Sequence, residues 1–520
     1  MDQQNRGKKI TLFSLFLLFL LSFLFKGPMN SYALEIASSV PETSPITMPL
    51  FGNRTIIWII AQFHILFASF ILGVPLFVVI SEFMFIKTGN EKYERLAYDI
   101  TKILAMCYSL TALSGATFAL LLFGLYPHFS SYILGKFSSI WLLFYPFLFT
   151  LETLLMYTYY YSWRSLSGNK KKWHLLIGFF LNIVGIATLF AMDAPASYML
   201  TPPRGLENPT FWDNVNNFTW LPLNFHRLLG NLTFGGYMVC IIAANMFIWS
   251  DNQKDREYYD WQGYIGNMIG VGAMIPLPIM GYIYSLELYM YDASVGIYMM
   301  SDRLSMFFET QGILVGLLFV ASNFYFWLSM QRITGADRFA SVIKVNFIVI
   351  FFSACIWFIP RHYFATMVAE PGMETTHLEL PAHLGFFALM KAKNTAAIFI
   401  CLLTLENYFL YKRAVKTGTV AWGKINPLSQ YLLVFLGFCD IWLMNLMGAV
   451  RELVRKNWHV YMQVKDTTPE AYTPTLFHSS ILTTQITFIF FIIFTFIIWL
   501  CLKTPQHQTQ LATQTLPKES

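Results

Sequence analysis

Charged residues are scarce in this sequence. Asp, Glu, Lys and Arg make up 12% of its 520 residues, whereas hydrophobic residues make up 56%. A soluble globular domain carries about 25% charged residues. A chain of this length with so little charge cannot cover itself with polar surface. The composition therefore indicates a protein whose exterior largely faces lipid.

Cysteine is also scarce, and its spacing excludes several kinds of site. The six cysteines form no C-x-x-C pair, and all lie inside or at the ends of apolar runs. They are Cys107, Cys240, Cys355, Cys401, Cys439 and Cys501. This pattern argues against a disulfide framework, a zinc site or a covalently attached c-type haem. We expect the cysteines to be small packing residues between helices.

The sequence lacks a basic stripe with interleaved aromatic residues, although its net charge is +6. Its basic residues cluster in short loops between apolar runs, where orientation in a membrane requires them. We therefore exclude nucleic acid as a partner. The expected surroundings are the lipid membrane.

What the sequence has in abundance is apolar runs of roughly 20 residues, each long enough to cross a bilayer as a helix. Lipid offers the backbone no hydrogen-bond partners, so these runs must be helices. The predicted fold class is all-α, a polytopic transmembrane helix bundle. About eleven spans are predicted, at 55–86, 97–124, 138–161, 173–195, 220–249, 262–289, 305–330, 339–360, 384–411, 428–450 and 477–502.

The N-terminus has the pattern of a secretory signal peptide over residues 1–33. A basic stretch precedes the apolar run 12–25, and the small residues Ser31 and Ala33 follow it. The alternative is an uncleaved first helix. In either case the segment 34–54 is expected to be periplasmic, and every inner loop is then basic, as the positive-inside rule requires. The predicted location is the bacterial cytoplasmic (inner) membrane.

Titratable side chains inside the predicted spans are the functional candidates, because each is costly in lipid unless it is paired or coordinated. His64 lies in the first span, with Glu82 about five helical turns later on the same face. Glu152 lies in the middle of the third span, His226 begins the fifth, and Glu452 ends the tenth. The topology puts both histidines and Glu452 in the outer half of the membrane. Such a set suits axial ligation of iron porphyrin; the alternative is hydrogen bonding between helices.

These residues and their neighbours resemble subunit I of the cytochrome bd-type oxidases. The matching motifs are His64-Ile-Leu-Phe67, Leu72-Gly73, Glu82, Thr88-Gly89 and Tyr93, then Leu151-Glu152-Thr153 with Trp163-Arg164, then His226, and finally Glu452-x-x-Arg455-x-x-Trp458. They cover roughly residues 55–250 and 428–500. Together and in order, they identify the chain as a divergent relative of that family.

The resemblance implies three haem ligands. His64 would be the axial ligand of the oxygen-reactive haem, and Glu452 would ligate the neighbouring high-spin haem b. His226 would ligate the low-spin haem b that receives electrons from quinol. Arg455 and Trp458 would bind or pack beside haem propionates, since an Arg fork suits a carboxylate. The implied cofactors are haem b, with haem d as a further candidate.

The resemblance also implies proton-carrying residues and reveals departures from the family. Glu152 would belong to the buried polar path near the haem pair, with Glu82 as a second relay. The family has another glutamate eight residues before Glu152, where this chain has Phe144. The family's long hydrophilic quinol-binding loop after the sixth span is replaced by additional spans.

The second ligand of the low-spin haem has no clear counterpart in the sequence. The family uses a methionine, for which Met390 and Met306 are the candidates. Alternatively, His362, His377 or His383 supplies a substitute ligand.

The sequence and the resemblance together predict six regions. They are a signal peptide (1–33), an extracytoplasmic segment (34–54), a haem-binding helix bundle (55–250), divergent membrane helices (251–427), C-terminal haem-ligand helices (428–503) and a disordered cytoplasmic tail (504–520).

Three functions are consistent with this reading. The first is a bd-like terminal oxidase subunit, with a second membrane subunit as partner and quinol or a periplasmic cytochrome as electron donor. The second is a bd-like haem subunit that exchanges electrons between the quinone pool and a periplasmic partner without reducing oxygen. The third is a non-redox transporter, for which Pro276 and Pro278 in the sixth span are the best feature.

Overall fold

The structure is a computed structural model, and it describes residues 48, 52–300, 304–359, 381–466 and 476–503. The predicted signal peptide, the predicted tail 504–520, and the candidate ligands His362 and His377 lie outside the described residues.

Helices dominate the described chain, and two small antiparallel strand pairs supply its strands. The helices are α1 (Asn53–Thr88), α2 (Glu91–Leu125), α3 (Pro127–Lys136), α4 (Tyr145–Tyr161), α5 (Lys171–Tyr198), α6 (Phe211–Val215), α7 (Trp220–Ile248), α8 (Gln253–Met274), α9 (Leu277–Tyr291), α10 (Ala293–Met300), α11 (Ser305–Met330), α12 (Asp337–Phe358), α13 (Ala382–Ala388), α14 (Lys391–Thr417), α15 (Pro427–Leu453) and α16 (Leu476–Leu502). The antiparallel strand pairs are β1 (Ile333–Thr334) with β2 (Thr419–Val420), and β3 (Trp458–Val460) with β4 (Val464–Lys465). A π-helical segment, Ile140–Phe144, leads into α4.

The predicted all-α transmembrane bundle is confirmed. Within the described ranges, ten helices or helix pairs are long and apolar enough to cross a membrane, and α13 with α14 makes an eleventh if the two count as one span. Each predicted span overlaps one of these.

Two predicted spans are less regular than expected. The sixth is broken between α8 and α9 at Pro276, because proline has no backbone N–H to continue the helix. The ninth was predicted as one continuous helix, but α13 and α14 meet at 90°. The break includes Met390, whose φ of −140° and ψ of 42° are not helical.

Contacts between loops show that the spans alternate in direction as predicted. The β1–β2 pairing joins the loop after α11 to the loop after α14. Arg95 forms an ion pair with Asp255 at 3.0 Å, and Lys503 Nζ donates to the Trp249 carbonyl oxygen at 2.7 Å. These loops, all rich in Lys and Arg, form what we call the basic end of the bundle.

The remaining loops meet at the opposite end. Asp292 accepts hydrogen bonds from Arg204 at 3.2 Å and from Tyr461 at 3.0 Å. Gln463, in the turn between β3 and β4, accepts from the Tyr198 hydroxyl at 3.0 Å. The segments that follow α5, α9 and α15 are therefore tied together here.

Helix α7 lies at the centre of the bundle. Its residues 233–244 are all buried, as expected for a helix that is apolar all round. Helix α1 crosses it closely at Gly73, where an added Cβ would lie 1.9 Å from the Asn231 carbonyl oxygen. Small residues that let two backbones approach are a common basis of helix packing in membranes.

Candidate functional site

A cavity of about 1260 Å³ lies inside the bundle, and we call it the central cavity. Its wall includes His64, Glu152, His226, Met390 and Glu452. Small-molecule pockets usually measure about 300–1,000 Å³. Five separately predicted site residues thus surround one space that is larger than a typical ligand pocket.

His64 is held by helix α2 in a defined orientation. Its Nδ1 lies 3.2 Å from the Thr111 carbonyl oxygen and 3.3 Å from Ser114 Oγ. A carbonyl oxygen can only accept, so Nδ1 carries the proton and Nε2 is the nitrogen left for a ligand. A metal-bound histidine typically anchors its other ring nitrogen in this way. Gly115 makes room for the ring, since a Cβ there would lie 2.7 Å from His64 Cε1.

His226 is packed against helix α9. A Cβ on Gly281 would lie 3.3 Å from His226 Cε1, so this glycine also makes room for an imidazole. His226 Nδ1 is buried and has no hydrogen-bond partner among the described residues. Buried polar atoms are nearly always satisfied. The orphaned nitrogen is therefore consistent with a group that the bare chain lacks.

Glu452 ends helix α15 beside a buried arginine. Arg455, only 1% exposed, forms an ion pair with Glu452 and also donates to the His459 carbonyl oxygen. The Glu452 side chain itself is 37% exposed, so the buried arginine holds a carboxylate that still faces the cavity. Trp458 lies in β3 and is not part of the cavity wall.

The end of the cavity around Glu452 is rich in positive charge. Arg54 and Arg451 line it together with Arg455. Burial lowers the pKa of His459, which also lines the cavity, to about 4, although Asp466 lies 3.5 Å away and opposes the shift. The ring is therefore neutral near pH 7 and leaves the arginines as the cations. Such a surface suits an anionic group such as a carboxylate.

Glu152 lies in the cavity wall and is 5% exposed. The Thr188 hydroxyl donates to its Oε2 at 3.2 Å. Phe144, which stands where the family has a glutamate, is in the π-helical segment and outside the cavity wall.

Sequence reasoning missed a buried carboxyl in the wall. Asp440 of α15 lines the cavity, and its Oδ2 is buried without a hydrogen-bond partner among the described residues. The sequence did contain a signal, because Asp440 is a carboxyl inside an apolar run. The same kind of signal identified Glu152.

Glu82 lies away from the cavity, in a buried cluster near the basic end. Its carboxylate contacts His174 Nδ1 at 2.5 Å, the Tyr159 hydroxyl at 2.5 Å and Lys171 Nζ at 3.3 Å. His174 was also missed by sequence reasoning. The predicted role of Glu82 as a proton relay stays a prediction.

The structure separates the candidates for the second low-spin ligand. Met390 lines the cavity at the break between α13 and α14. Met306 is 47% exposed, and His383 is also exposed; neither lies in the cavity wall. Met390 is thus the candidate on the same cavity as His226.

The donor set fits haem better than a bare metal ion. In the part of the chain that the structure describes, no three His, Cys, Asp or Glu side chains converge on one point. Single axial donors spread around a large, mainly apolar cavity are what a porphyrin requires. The orphaned His226 nitrogen and the two glycines that accommodate imidazole rings fit the same group.

Comparison with known proteins agrees with this geometry. Residues 53–292 match the family described as cytochrome bd terminal oxidase subunit I. These residues are just under half of the chain, and over them it is similar to that family.

Individual proteins similar to this chain are distant from it in sequence. A Bacillus subtilis protein, provisionally named a cytochrome bd menaquinol oxidase subunit I, is 25% identical over 200 residues. The match covers 38% of this chain and 44% of that protein, less than half of its length. The bd oxidase from Geobacillus thermodenitrificans has a chain that is 16% identical, with a TM-score of 0.42, over 77% of this chain and 96% of its own.

The match to the family covers only part of the site. His64, Glu152 and His226 fall within the matched residues 53–292. Met390 and Glu452 lie beyond them, yet they line the same cavity. The cavity therefore joins matched and unmatched parts of the chain.

Gly115→Ala is expected to disturb the His64 side of the cavity without removing a donor atom. The new methyl group would displace the His64 ring, which would weaken its hydrogen bond to Thr111. We expect a shifted or weakened haem band that depends on His64, measured in reduced-minus-oxidised optical spectra of the purified protein. Gly124→Ala is the control, because nothing lies within 4 Å of that position. Identical spectra for both variants and the wild type would contradict the prediction.

Proposed function

We propose that this chain is the membrane haem subunit of a bd-like terminal oxidase, which passes electrons from quinol or a periplasmic donor to oxygen. The observation that carries the proposal is that His64, His226 and Glu452 line one cavity. The similarity of residues 53–292 to the bd oxidase subunit I family supports an oxidoreductase.

His64 and Glu452 would hold the oxygen-reactive haem and its high-spin neighbour. His226, with Met390 as the second ligand, would hold the low-spin haem. The expected cofactors are haem b, with haem d as a further candidate. Haem bound there would supply one-electron chemistry and oxygen chemistry. The arginines near Glu452 would neutralise the propionates of the haem.

Residues of the chain itself would hold protons at the cavity wall. A buried carboxyl with no paired cation is more stable when neutral. Glu152 and Asp440 both line the cavity, and neither forms an ion pair within the described ranges. Each can therefore hold a proton close to the space where oxygen chemistry would take place.

The positive-inside rule supports an orientation for the bundle. The basic end would face the cytoplasm, and the mature N-terminus and the Glu452 end would face the periplasm. The bacterial inner membrane is then the expected location. A second membrane subunit is the expected partner.

The test is an optical difference spectrum of the detergent-purified protein, reduced with dithionite minus oxidised in air, together with an oxygen-electrode assay with quinol. We expect haem bands and oxygen consumption that depends on quinol. A well-folded protein without haem would contradict the redox function and favour the non-redox transporter.

A second candidate function is electron exchange between the quinone pool and a periplasmic partner without oxygen reduction. Phe144 favours it, because the family's carboxyl at that position is missing. Haem bands that quinol reduces, without oxygen consumption, would select this function.

A further inference from the structure

Helix α12 presents a broad apolar strip to the outside of the bundle. Val345, Ile348 and Phe352 lie on this strip and are 61%, 44% and 63% exposed. None of them lines the central cavity, so their exposed surface lies on the exterior of the protein. Apolar side chains on a span need no protein partner there, because lipid tails are as apolar as they are. We call this strip, with the charged residues on its two flanks, the α12 face.

A carboxylate flanks the strip deep in the membrane. Glu406 of α14 is exposed and outside the cavity wall. It comes 11 residues before Thr417, the last residue of α14, and so lies about 16 Å from the basic end of the bundle. Its described partner is the neutral side chain of Asn346 on α12, whose Nδ2 donates to Oε2 at 3.1 Å. Ionisable residues at this depth nearly always face the protein interior or a partner. Glu406 therefore marks a surface that another protein covers.

A cation lies on the other flank of α12 at a comparable depth. Lys344 is exposed and follows Asp337, the first residue of α12, by seven residues, which places it about 10 Å from the basic end. Its Nζ lies 5.8 Å from the centre of the Trp327 ring on α11. Asn346, only two residues later, faces α14 instead. Two residues along a helix correspond to a rotation of about 200°. Lys344 and Glu406 therefore stand on opposite sides of the apolar strip.

This arrangement of charges is complementary to itself. When two identical surfaces pack about a two-fold axis, each flank of one meets the opposite flank of the other. With the axis normal to the membrane and beside α12, Lys344 of each copy faces Glu406 of the other. An unlike partner would have to supply an anion and a cation at two separate places. A second copy of this chain supplies both.

We propose that the α12 face is the interface of a homodimer, in which α12 packs against α12 of a second copy and two Lys344–Glu406 pairs form. The two residues differ by about 6 Å in depth, and the flexible four-carbon stem of lysine covers this difference. Polar contacts between helices contribute to association within the membrane. The interface needs no haem, so it does not depend on the proposed function.

The first test reverses the charges. Dimer dissociation of the full-length protein is measured in lipid vesicles, by energy transfer between donor-labelled and acceptor-labelled copies at increasing dilution in lipid. Glu406→Lys and Lys344→Glu each place like charges opposite one another twice in a two-fold dimer. Lys416→Glu is the control, because Lys416 is an exposed residue in the last turn of α14, at the basic end and away from the α12 face.

We expect each single reversal to weaken dimerisation about tenfold or more, since like charges brought together oppose association. The double variant Lys344→Glu with Glu406→Lys restores opposite charges and should dimerise nearly as well as the wild type. Recovery in the double variant cannot result from misfolding. The control variant should match the wild type.

Cys355 supplies an independent probe that needs no change of charge. It is exposed and follows Phe352 by three residues, so it lies on the same side of α12. A two-fold axis beside α12 brings the two copies of this thiol towards each other. A bismaleimide should therefore link wild-type chains in vesicles into a dimer that survives on a denaturing gel. Cys355→Ser should abolish the link, whereas the other cysteines are buried or only partly exposed.

Three results would overturn the proposal. The first is a protein that stays monomeric at high protein-to-lipid ratios and gives no cross-link at Cys355. The second is a dimer that both single reversals leave at wild-type strength. The third is a cross-link from Cys355 to a different protein in native membranes, with no homodimer, which would assign the α12 face to an unlike subunit. Haem content enters none of these measurements, so the test of the proposed function stays separate.

Discussion

His226→Ala is expected to lower the haem content of the purified protein by one haem and to remove one b-type band from its difference spectrum. The ring lies in the cavity wall, and its Nδ1 is buried without a partner among the described residues. Alanine offers no donor atom, and the packing against Gly281 would leave a gap. Haem extraction and the optical spectrum measure the two effects.

The corresponding His64→Ala and Glu452→Ala variants should each weaken a different band, because the three donors come from different helices. Glu452→Ala carries a second cost, since it leaves Arg455 buried without its carboxylate partner. Glu452→Gln keeps the shape and serves as the milder variant. Thermal unfolding in detergent distinguishes loss of a ligand from loss of the fold.

His383→Ala is the matched control for the histidine variants, because His383 is exposed and outside the cavity wall. A stricter control uses His226→Gly with added imidazole, which should restore part of the missing band if the ring acts as a ligand. Wild-type haem content in the three alanine variants would show that the cavity residues do not hold haem.

The fold was predictable because lipid permits few alternatives. Each span must satisfy its own backbone hydrogen bonds, so apolar length alone identifies the helices. The basic loops predicted the direction in which each span runs. Contacts such as that of Lys503 with Trp249 confirm that alternate loops share one end of the bundle. The bend between α13 and α14 was not predictable, since no proline or glycine lies at Met390 to mark it.

The site was only partly predictable, because position along a helix does not fix what a side chain faces. Glu82 and His64 share a face of α1 in sequence, yet Glu82 pairs with His174 and Lys171 while His64 lines the cavity. Sequence analysis did not identify Gly115. Its role is to leave room for the His64 ring, which comes from a neighbouring helix that sequence spacing cannot place. Asp440 is a carboxyl inside an apolar run, which is the signal that identified Glu152, but it lies in no recognisable motif.

Gly73→Ala is expected to destabilise the whole bundle. Its new Cβ would lie 1.9 Å from the Asn231 carbonyl oxygen and 2.6 Å from the carbonyl carbon. These are backbone atoms of α7, so no side chain can rotate away and the helices must separate. Overpacking usually costs about 1–3 kcal/mol, and a clash between backbones belongs at or above the upper end. A lower midpoint of thermal unfolding and a lower yield of folded protein are the expected results.

The same substitution also connects packing to function. Gly73 lies nine residues after His64 on α1, and Asn231 lies five residues after His226 on α7. Separating the helices at this crossing would move the two proposed ligands apart, so surviving protein should show altered haem bands. Gly124→Ala, in open space on α2, should be neutral or slightly stabilising, because alanine favours helix by about 1 kcal/mol over glycine. Equal stability of the two variants would show that α1 and α7 do not cross as closely as the structure has them.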